Sequence, residues 1–200
     1  MPLRTVFRLV SLTAALLPAA TPSLATQPAA PDAAASASAL VFADASYVHR
    51  WSKAGQNEYT PPSQTDLDHW DDMVTVLVYD QVTTEDALAL TASRILSNYK
   101  RDGKILRTKV TPGTGQHKAE YLIVGVLPGG GIYETVFTRV VMTGDVGQAL
   151  IYAHRFYGDK RAAEATADWL VANGQRIEDA LTAWQDAPSP AALRTLPQAP

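Results

Sequence analysis

Four strand-like runs joined by tight turns occupy the second half of the chain, and they restrict its fold more than any other feature. The runs cover residues 104–111, 118–127, 132–142 and 148–157. The turns contain Pro112-Gly113-Thr114-Gly115, Pro128-Gly129-Gly130-Gly131 and Thr143-Gly144-Asp145 with Gly147. Short connections made of residues that tolerate positive φ join antiparallel neighbours. The sequence therefore predicts a four-strand antiparallel meander.

A strand and a helix are predicted ahead of this meander. Residues 73–79 are apolar on both faces and rich in β-branched side chains, which predicts a central strand. Thr83, with Asp86 three residues later, resembles a capping box. Apolar residues then recur at helical spacing at Leu88, Ala92, Ile95 and Tyr99. This pattern predicts a helix over 84–101.

The two ends of the domain give weaker patterns. Residues 40–68 contain Pro61-Pro62 and predict a loop-rich entry. After residue 159 an apolar stripe predicts either one helix through Gly174 or two helices divided there. Residues 187–200 are rich in Pro and Ala, so we predict a flexible tail.

These elements together predict one α+β domain over residues 40–186. Its mainly antiparallel sheet has about five to six strands, one helix follows the first central strand, and a C-terminal helix packs on the sheet. The element order resembles PsbP/Mog1-like domains over about residues 41–184, which implies a fold but no catalytic residues. The chain is also similar to an uncharacterised family of exported proteobacterial proteins. This similarity is carried by Arg50-Trp51-Ser52, Glu58-Tyr59-Thr60-Pro61, Asp68-His69-Trp70-Asp71-Asp72-Met73 and Tyr152-Ala153-His154-Arg155-Phe156-Tyr157-Gly158.

The N-terminus has the pattern of an export signal. Arg4 and Arg8 precede an apolar run, and a small-residue exit ends at Ala25. We expect residues 1–25 to be a cleaved signal peptide and residues 26–39 to be a disordered tether rich in Ala, Pro and Ser. A membrane anchor is the alternative, but the apolar run is short for a bilayer. The predicted location is periplasmic, and secretion is the alternative.

Composition narrows the classes of partner and chemistry. The chain has no cysteine, which excludes disulfides and thiol chemistry. Its formal net charge is −3, and loss of Arg4 and Arg8 with the signal peptide would make it −5, which argues against nucleic acid. A basic group at residues 100–109 spans a helix end and a strand start, which favours a solvated edge.

No motif predicts a metal, a cofactor or a nucleophile. The acidic residues Asp66, Asp68, Asp71 and Asp72 lack the spacing of a calcium loop, so a solvated turn is the favoured interpretation. Four histidines are scattered without ligand spacing. The glycine clusters lack the endings of phosphate-binding loops and fit hairpin turns.

Two groups of residues are candidates for binding. The first is a polar set on the predicted sheet: Glu134, Arg139, Tyr152, His154 and Arg155. It forms either a ligand site on one face or solvated side chains with a Glu134–Arg155 ion pair. The second is a set of rings in the entry segment: Tyr47, Trp51, Tyr59 and Trp70. These rings either bind a partner or complete the core.

Three functions are compatible with these patterns. The leading hypothesis is a non-enzymatic binding protein of the bacterial envelope, with residues 47–70 as its contact surface. The second is a small-ligand binder or hydrolase-like enzyme that uses the polar set. The third is an accessory factor for the assembly or secretion of another envelope protein.

Overall fold

The computed structural model describes residues 38–114, 117–158 and 160–200. The predicted signal peptide and residues 26–37 of the predicted tether lie outside this range. The described chain forms eight strands: β1 (Ala39–Phe42), β2 (Ala45–Lys53), β3 (Gln56–Thr60), β4 (Asp72–Tyr79), β5 (Lys104–Thr111), β6 (Glu120–Gly129), β7 (Ile132–Thr143) and β8 (Val146–Tyr157). It also forms three helices: α1 (Glu85–Asp102), α2 (Lys160–Ala183) and α3 (Pro190–Leu193).

All eight strands belong to one antiparallel sheet with the order β1-β2-β3-β4-β8-β7-β6-β5. The α+β class, the meander and the central position of β4 are confirmed. The predicted number of five to six strands is wrong because the entry segment forms β1, β2 and β3. Its first hairpin turn escapes recognition because Ala43 and Asp44, which are not glycine, adopt positive φ of 47° and 65°. The second turn pairs Ala54 at 50° with Gly55 at 83°, a single glycine within a polar run.

Helix α1 lies where the sequence predicts it, but its cap differs by one residue. The hydroxyl of Thr84, and not Thr83, accepts a hydrogen bond from the backbone N–H of Ala87 at 3.2 Å. Glu85 and Asp86 occupy the first turn, where the helix dipole favours acidic groups. The predicted apolar residues are all buried beneath the helix.

Helix α2 runs without interruption through Gly174, so the one-helix alternative is the observed one. A Cβ atom at Gly174 would lie 3.8 Å from Leu170 and 4.0 Å from the ring of Phe137 in β7. These are ordinary packing distances. Gly174 therefore faces the sheet in mid-helix and does not end it.

Two apolar clusters cover the two faces of the sheet. On one face, α1 packs over a cluster that includes Leu88, Ile95 and Ile151. On the other face, α2 packs over a cluster that includes Val74, Leu122 and Phe137. We refer to these as the α1 face and the α2 face. Among the described helices, none is long and apolar enough to cross a membrane.

The C-terminal segment differs from the predicted flexible tail. Ser189 caps α3 through a hydrogen bond from Ala192 N–H, and Leu193 and Leu196 are buried in the cluster of the α2 face. Further on, the N–H of Ala199 donates to the carbonyl of Ser52 at 2.7 Å. The Pro- and Ala-rich composition does not predict these apolar contacts. They form because α3 folds back onto the sheet.

Candidate functional site

Strand β5 forms one end of the sheet, and no other described strand lies beyond it. It is 8 residues long, whereas β1 at the opposite end has 4 residues. Outside the regular ladders, the described backbone hydrogen bonds involve none of residues 104–111. The outer edge of β5 therefore offers unpaired backbone donors and acceptors along its length.

The pairing of β5 with β6 divides its side chains by charge. Lys104, Arg107 and Lys109 lie opposite Val126, Val124 and Leu122, on the α2 face of the sheet. Thr108 and Val110 lie opposite Ile123 and Tyr121, on the α1 face. Val110 is 60% exposed. One side of the edge is thus cationic, and the other side is uncharged and partly apolar.

A groove of about 580 Å³ lies between β5 and the C-terminal half of α2. It is lined by Arg107, Thr108, Lys109, Gln175, Glu178, Asp179, Thr182 and Ala183. Arg107 crosses it and contacts Glu178 at 3.0 Å. No described residue makes a comparable contact with Lys104 or Lys109, so two cations of β5 stay available beside the groove.

A second polar arrangement joins Asp72 in β4 to two residues of β8. The Oδ1 atom of Asp72 accepts hydrogen bonds from the Tyr152 hydroxyl at 2.5 Å and from Nδ1 of His154 at 2.9 Å. Burial raises the pKa of Asp72, but these hydrogen bonds outweigh burial and hold the pKa below its usual range. An ionised carboxylate only accepts hydrogen bonds, so Nδ1 of His154 carries the proton.

Aromatic rings enclose this arrangement. The ring of Trp169 in α2 stacks on His154 with centroids 4.4 Å apart, and Phe156 approaches His154 edge-on at 4.7 Å. The side chain of His154 is 13% exposed and that of Asp72 is 29% exposed. Asp72 therefore orients a mostly covered imidazole, as an acid does in sites of general base catalysis. A hydrolase would need a nucleophile as well.

Glu134 and Arg155 point to the α1 face, away from His154. Their side chains form an ion pair at 2.8 Å, and each is 10% exposed. The guanidinium carbon of Arg155 lies 3.7 Å from the ring centroid of Trp70. Burial raises the pKa of Glu134, and the charge of Arg155 partly offsets this. The cross-strand ion pair of the second alternative is confirmed, but the two side chains are buried and not solvated.

Arg139 lies on the α2 face, where it supports the end of helix α2. It contacts Glu120 at 2.8 Å and donates to the carbonyls of Leu181 and Trp184 at 3.2 and 3.0 Å. The predicted polar set therefore divides: Tyr152 and His154 meet at Asp72 and Arg139 stands apart on the α2 face, whereas Glu134 and Arg155 pair on the α1 face. The expected grouping on one face fails because neighbouring strand residues alternate between faces.

The rings of the entry segment are mostly core residues. Tyr47, Tyr59 and Trp70 are 3%, 0% and 4% exposed, whereas Trp51 is half-buried. The backbone N–H of Trp70 donates to the hydroxyl of Tyr157 at 2.8 Å, and that hydroxyl donates to the Trp70 carbonyl at 2.6 Å. Three of the four rings therefore complete the core, and Trp51 alone remains available to a partner.

The sequence patterns missed the two arrangements that the fold assembles. Asp72 was assigned to a solvated acidic turn, and Trp169 carried no signal beyond its place on a helix. The sequence does show the basic group at residues 100–109. The spacing of its residues along β5, which puts them on one face of the sheet, is the signal that could have identified the charged edge. No group of three or more possible metal ligands occurs in the described parts of the chain.

Comparison with known proteins gives similarity in fold only. No protein-family model matches the chain, and no curated protein matches its sequence. The crystal structure of the Saccharomyces cerevisiae Ran-binding protein Mog1p is 11% identical, with a TM-score of 0.40 over 68% of this chain and 81% of that chain. A mutant of the Mog1 protein is 10% identical, with the same TM-score and coverage. Human STARD10 is 10% identical, with a TM-score of 0.29 over 69% of this chain and 74% of that chain. The chain bears a weak fold resemblance to Mog1 proteins.

Proposed function

We propose that this protein is a non-enzymatic binding protein of the bacterial cell envelope that holds a partner protein along β5. The observation that carries the proposal is the long unpaired edge of β5 beside the groove against α2. Extended segments of other proteins add to free sheet edges of this kind, because main-chain hydrogen bonds supply affinity without a deep pocket. The envelope location rests on the export signal predicted from the sequence.

The edge of β5 has two features of a docking strand. Natural edge strands are usually short, bent or charged, which prevents unwanted pairing. β5 carries charge and has a bulge at Leu106, where its pairing with β6 shifts register, but it keeps Leu106 44% and Val110 60% exposed over an 8-residue strand. A long edge strand with both charged and exposed apolar side chains is better suited to pairing with a selected partner than to preventing all pairing.

The proposal moves the contact surface away from residues 47–70, because most rings of that segment are buried. Trp51, which is half-buried, remains the candidate ring there. The accessory-factor hypothesis is a special case of the proposal, in which the partner is an envelope protein during its assembly or secretion.

The test is site-specific photo-crosslinking in bacterial cells that produce the protein. A photoreactive residue replaces Val110 at the edge of β5, and a matched probe replaces Val171, which is 90% exposed on α2. We expect a discrete crosslinked protein from the Val110 position and none from the Val171 position. No adduct from Val110, or the same adducts from both positions, would overturn the proposal.

A second candidate function is a small-ligand binder or hydrolase-like enzyme centred on His154. It is favoured by the hydrogen bond from Nδ1 of His154 to Asp72, which fixes the orientation of the imidazole. The test is turnover of an activated ester by the purified protein and by His154→Gln and Tyr121→Phe variants. Turnover that is lost in His154→Gln and kept in Tyr121→Phe would support this function. Equal rates in all three proteins would exclude His154 from the reaction.

A further inference from the structure

We infer that the segment that docks on β5 is an acidic, extended stretch of the partner, and that it adds to the sheet as a ninth strand. This inference rests on the proposed function and specifies the chemistry of the occupant. The carrying observation is that the cationic side chains of an unpaired edge lie on one face of the sheet and uncharged side chains on the other.

The register of β5 determines the pattern that a partner strand must have. In an antiparallel pair, directly opposite residues share a face of the sheet, and their side chains interact. Residues of the added strand on the α2 face would meet Lys104, Arg107 and Lys109. Residues on the α1 face would meet Thr108 and Val110. From Arg107 to Thr111, beyond the bulge at Leu106, a strand that alternates acidic and β-branched residues matches both faces.

The acids around this edge leave two of its three cations, Lys104 and Lys109, without an ion pair among the described residues. Glu178 already contacts Arg107 at 3.0 Å, and Glu120 contacts Arg139 at 2.8 Å. Asp179 also lines the groove, but in the described chain no ion pair joins it to a cation of β5. Lys104 and Lys109 therefore remain as the charges that an added strand meets first.

Charge also argues against a second copy of this chain as the occupant. Two β5 strands that pair antiparallel to extend the sheet keep their α2 faces on the same side. On that face, Lys104, Arg107, Lys109 and Thr111 of one copy would then lie opposite the same four residues of the other copy. Like charges directly opposite each other destabilise a sheet, whereas opposite charges stabilise it.

The first test measures binding of three labelled eight-residue peptides to the purified protein by fluorescence anisotropy. One peptide alternates Glu and Val, the second alternates Lys and Val, and the third alternates Ser and Val. We expect the Glu-Val peptide to bind about tenfold more tightly than the Lys-Val peptide, with the Ser-Val peptide between them. Equal affinities, or no binding of the Glu-Val peptide, would overturn the inference.

The second test locates the peptide with charge-reversal variants. Lys109→Glu should weaken binding of the Glu-Val peptide about two- to fivefold and strengthen binding of the Lys-Val peptide. Lys160→Glu makes the same change in net charge at the start of α2, away from the groove, and should leave both affinities unchanged. Equal effects of the two variants would indicate attraction by net charge alone and would overturn the inference.

Amide hydrogen exchange separates strand addition from other modes of contact. Added strand pairing should slow exchange in residues 104–111 when the Glu-Val peptide is bound, while residues of β1 stay unchanged. Protection elsewhere would overturn the inference. Protection of β5 in the protein alone, together with a dimer in sedimentation, would identify a second copy as the occupant and also overturn it.

The failure of this inference is distinguishable from failure of the proposed function. If the Val110 probe captures an envelope protein but the peptides show no charge preference, β5 is still a docking edge and only the acidic occupant is wrong. If the Val110 probe captures nothing, the proposed function itself fails.

Discussion

The carboxylate of Asp72 lies directly opposite His154 across the β4–β8 pair, with Oδ1 2.9 Å from Nδ1 of the imidazole. The same oxygen accepts the hydroxyl of Tyr152, so one carboxylate ties two positions of β8 to the first residue of β4. Trp169 covers the imidazole from α2. This contact connects the entry half of the sheet, the meander and the C-terminal helix at one point.

The depressed pKa of Asp72 predicts a loss of stability in acid. Because the folded pKa lies below the unfolded value of about 3.9, this stabilisation is present above the unfolded pKa and is lost as the pH falls through the folded pKa. Asp72→Asn should lower the free energy of unfolding at pH 7 by about 1–2 kcal/mol and flatten its pH dependence below pH 4. Urea unfolding at several pH values measures both effects. A parallel pH dependence in the variant would contradict the assignment.

The buried ion pair between Glu134 and Arg155 predicts a strong effect of removing one partner. Glu134→Ala leaves a buried guanidinium without its carboxylate and should destabilise the protein by about 3–5 kcal/mol in chemical denaturation. The double variant Glu134→Leu, Arg155→Met should recover most of this loss. The exposed Arg101–Asp102 pair is the control, because Asp102→Ala should have no measurable effect. A small effect of Glu134→Ala would show that water reaches the pair.

The different burial of Trp70 and Trp51 predicts different effects of their replacement on stability. Trp70 is 4% exposed and packs against Arg155, so Trp70→Ala should destabilise the protein by about 3–5 kcal/mol. Trp51 is half-buried, so Trp51→Ala should cost clearly less. Thermal unfolding of both variants checks the order, and the reverse order would contradict the placement of the two rings.

The packing of the C-terminal segment predicts that it contributes to stability. Leu193 is 2% exposed in the cluster of the α2 face, so Leu193→Ala should cost about 2–5 kcal/mol. Val171→Ala is the control, because Val171 is 90% exposed. Equal stability of the two variants would indicate that this segment does not pack as described.

If residues 1–25 are the export signal that the sequence predicts, the N-terminus is processed. In a Gram-negative host, we expect the mature protein to begin at Thr26 and to appear in the periplasmic fraction. N-terminal sequencing and fractionation measure both. An unprocessed chain in the cytoplasm would contradict the envelope part of the proposed function.

Local patterns were sufficient where one strong physical signal acts on neighbouring residues. The meander follows from tight turns between apolar runs, and α1 follows from its apolar spacing and acidic first turn. The hairpin around Ala43 was missed because its positive φ values fall on Ala43 and Asp44 and not on glycine. The hairpin around Ala54 was missed because its turn has a single glycine, Gly55, within a polar run. The buried C-terminal segment was missed because its few apolar residues gain from burial only after α2 has positioned them.

The sequence by itself determined the α+β class, the antiparallel meander and α1, because turn chemistry and periodicity act within a few residues. It also indicated that Glu134 and Arg155 can lie opposite each other as a cross-strand pair. Only the tertiary structure decided that Asp72 meets His154, that Trp169 covers the imidazole, and that β5 ends the sheet beside a groove. These relationships join residues far apart in the chain, and strand order and helix placement, which no local pattern encodes, decide which side chains share a face.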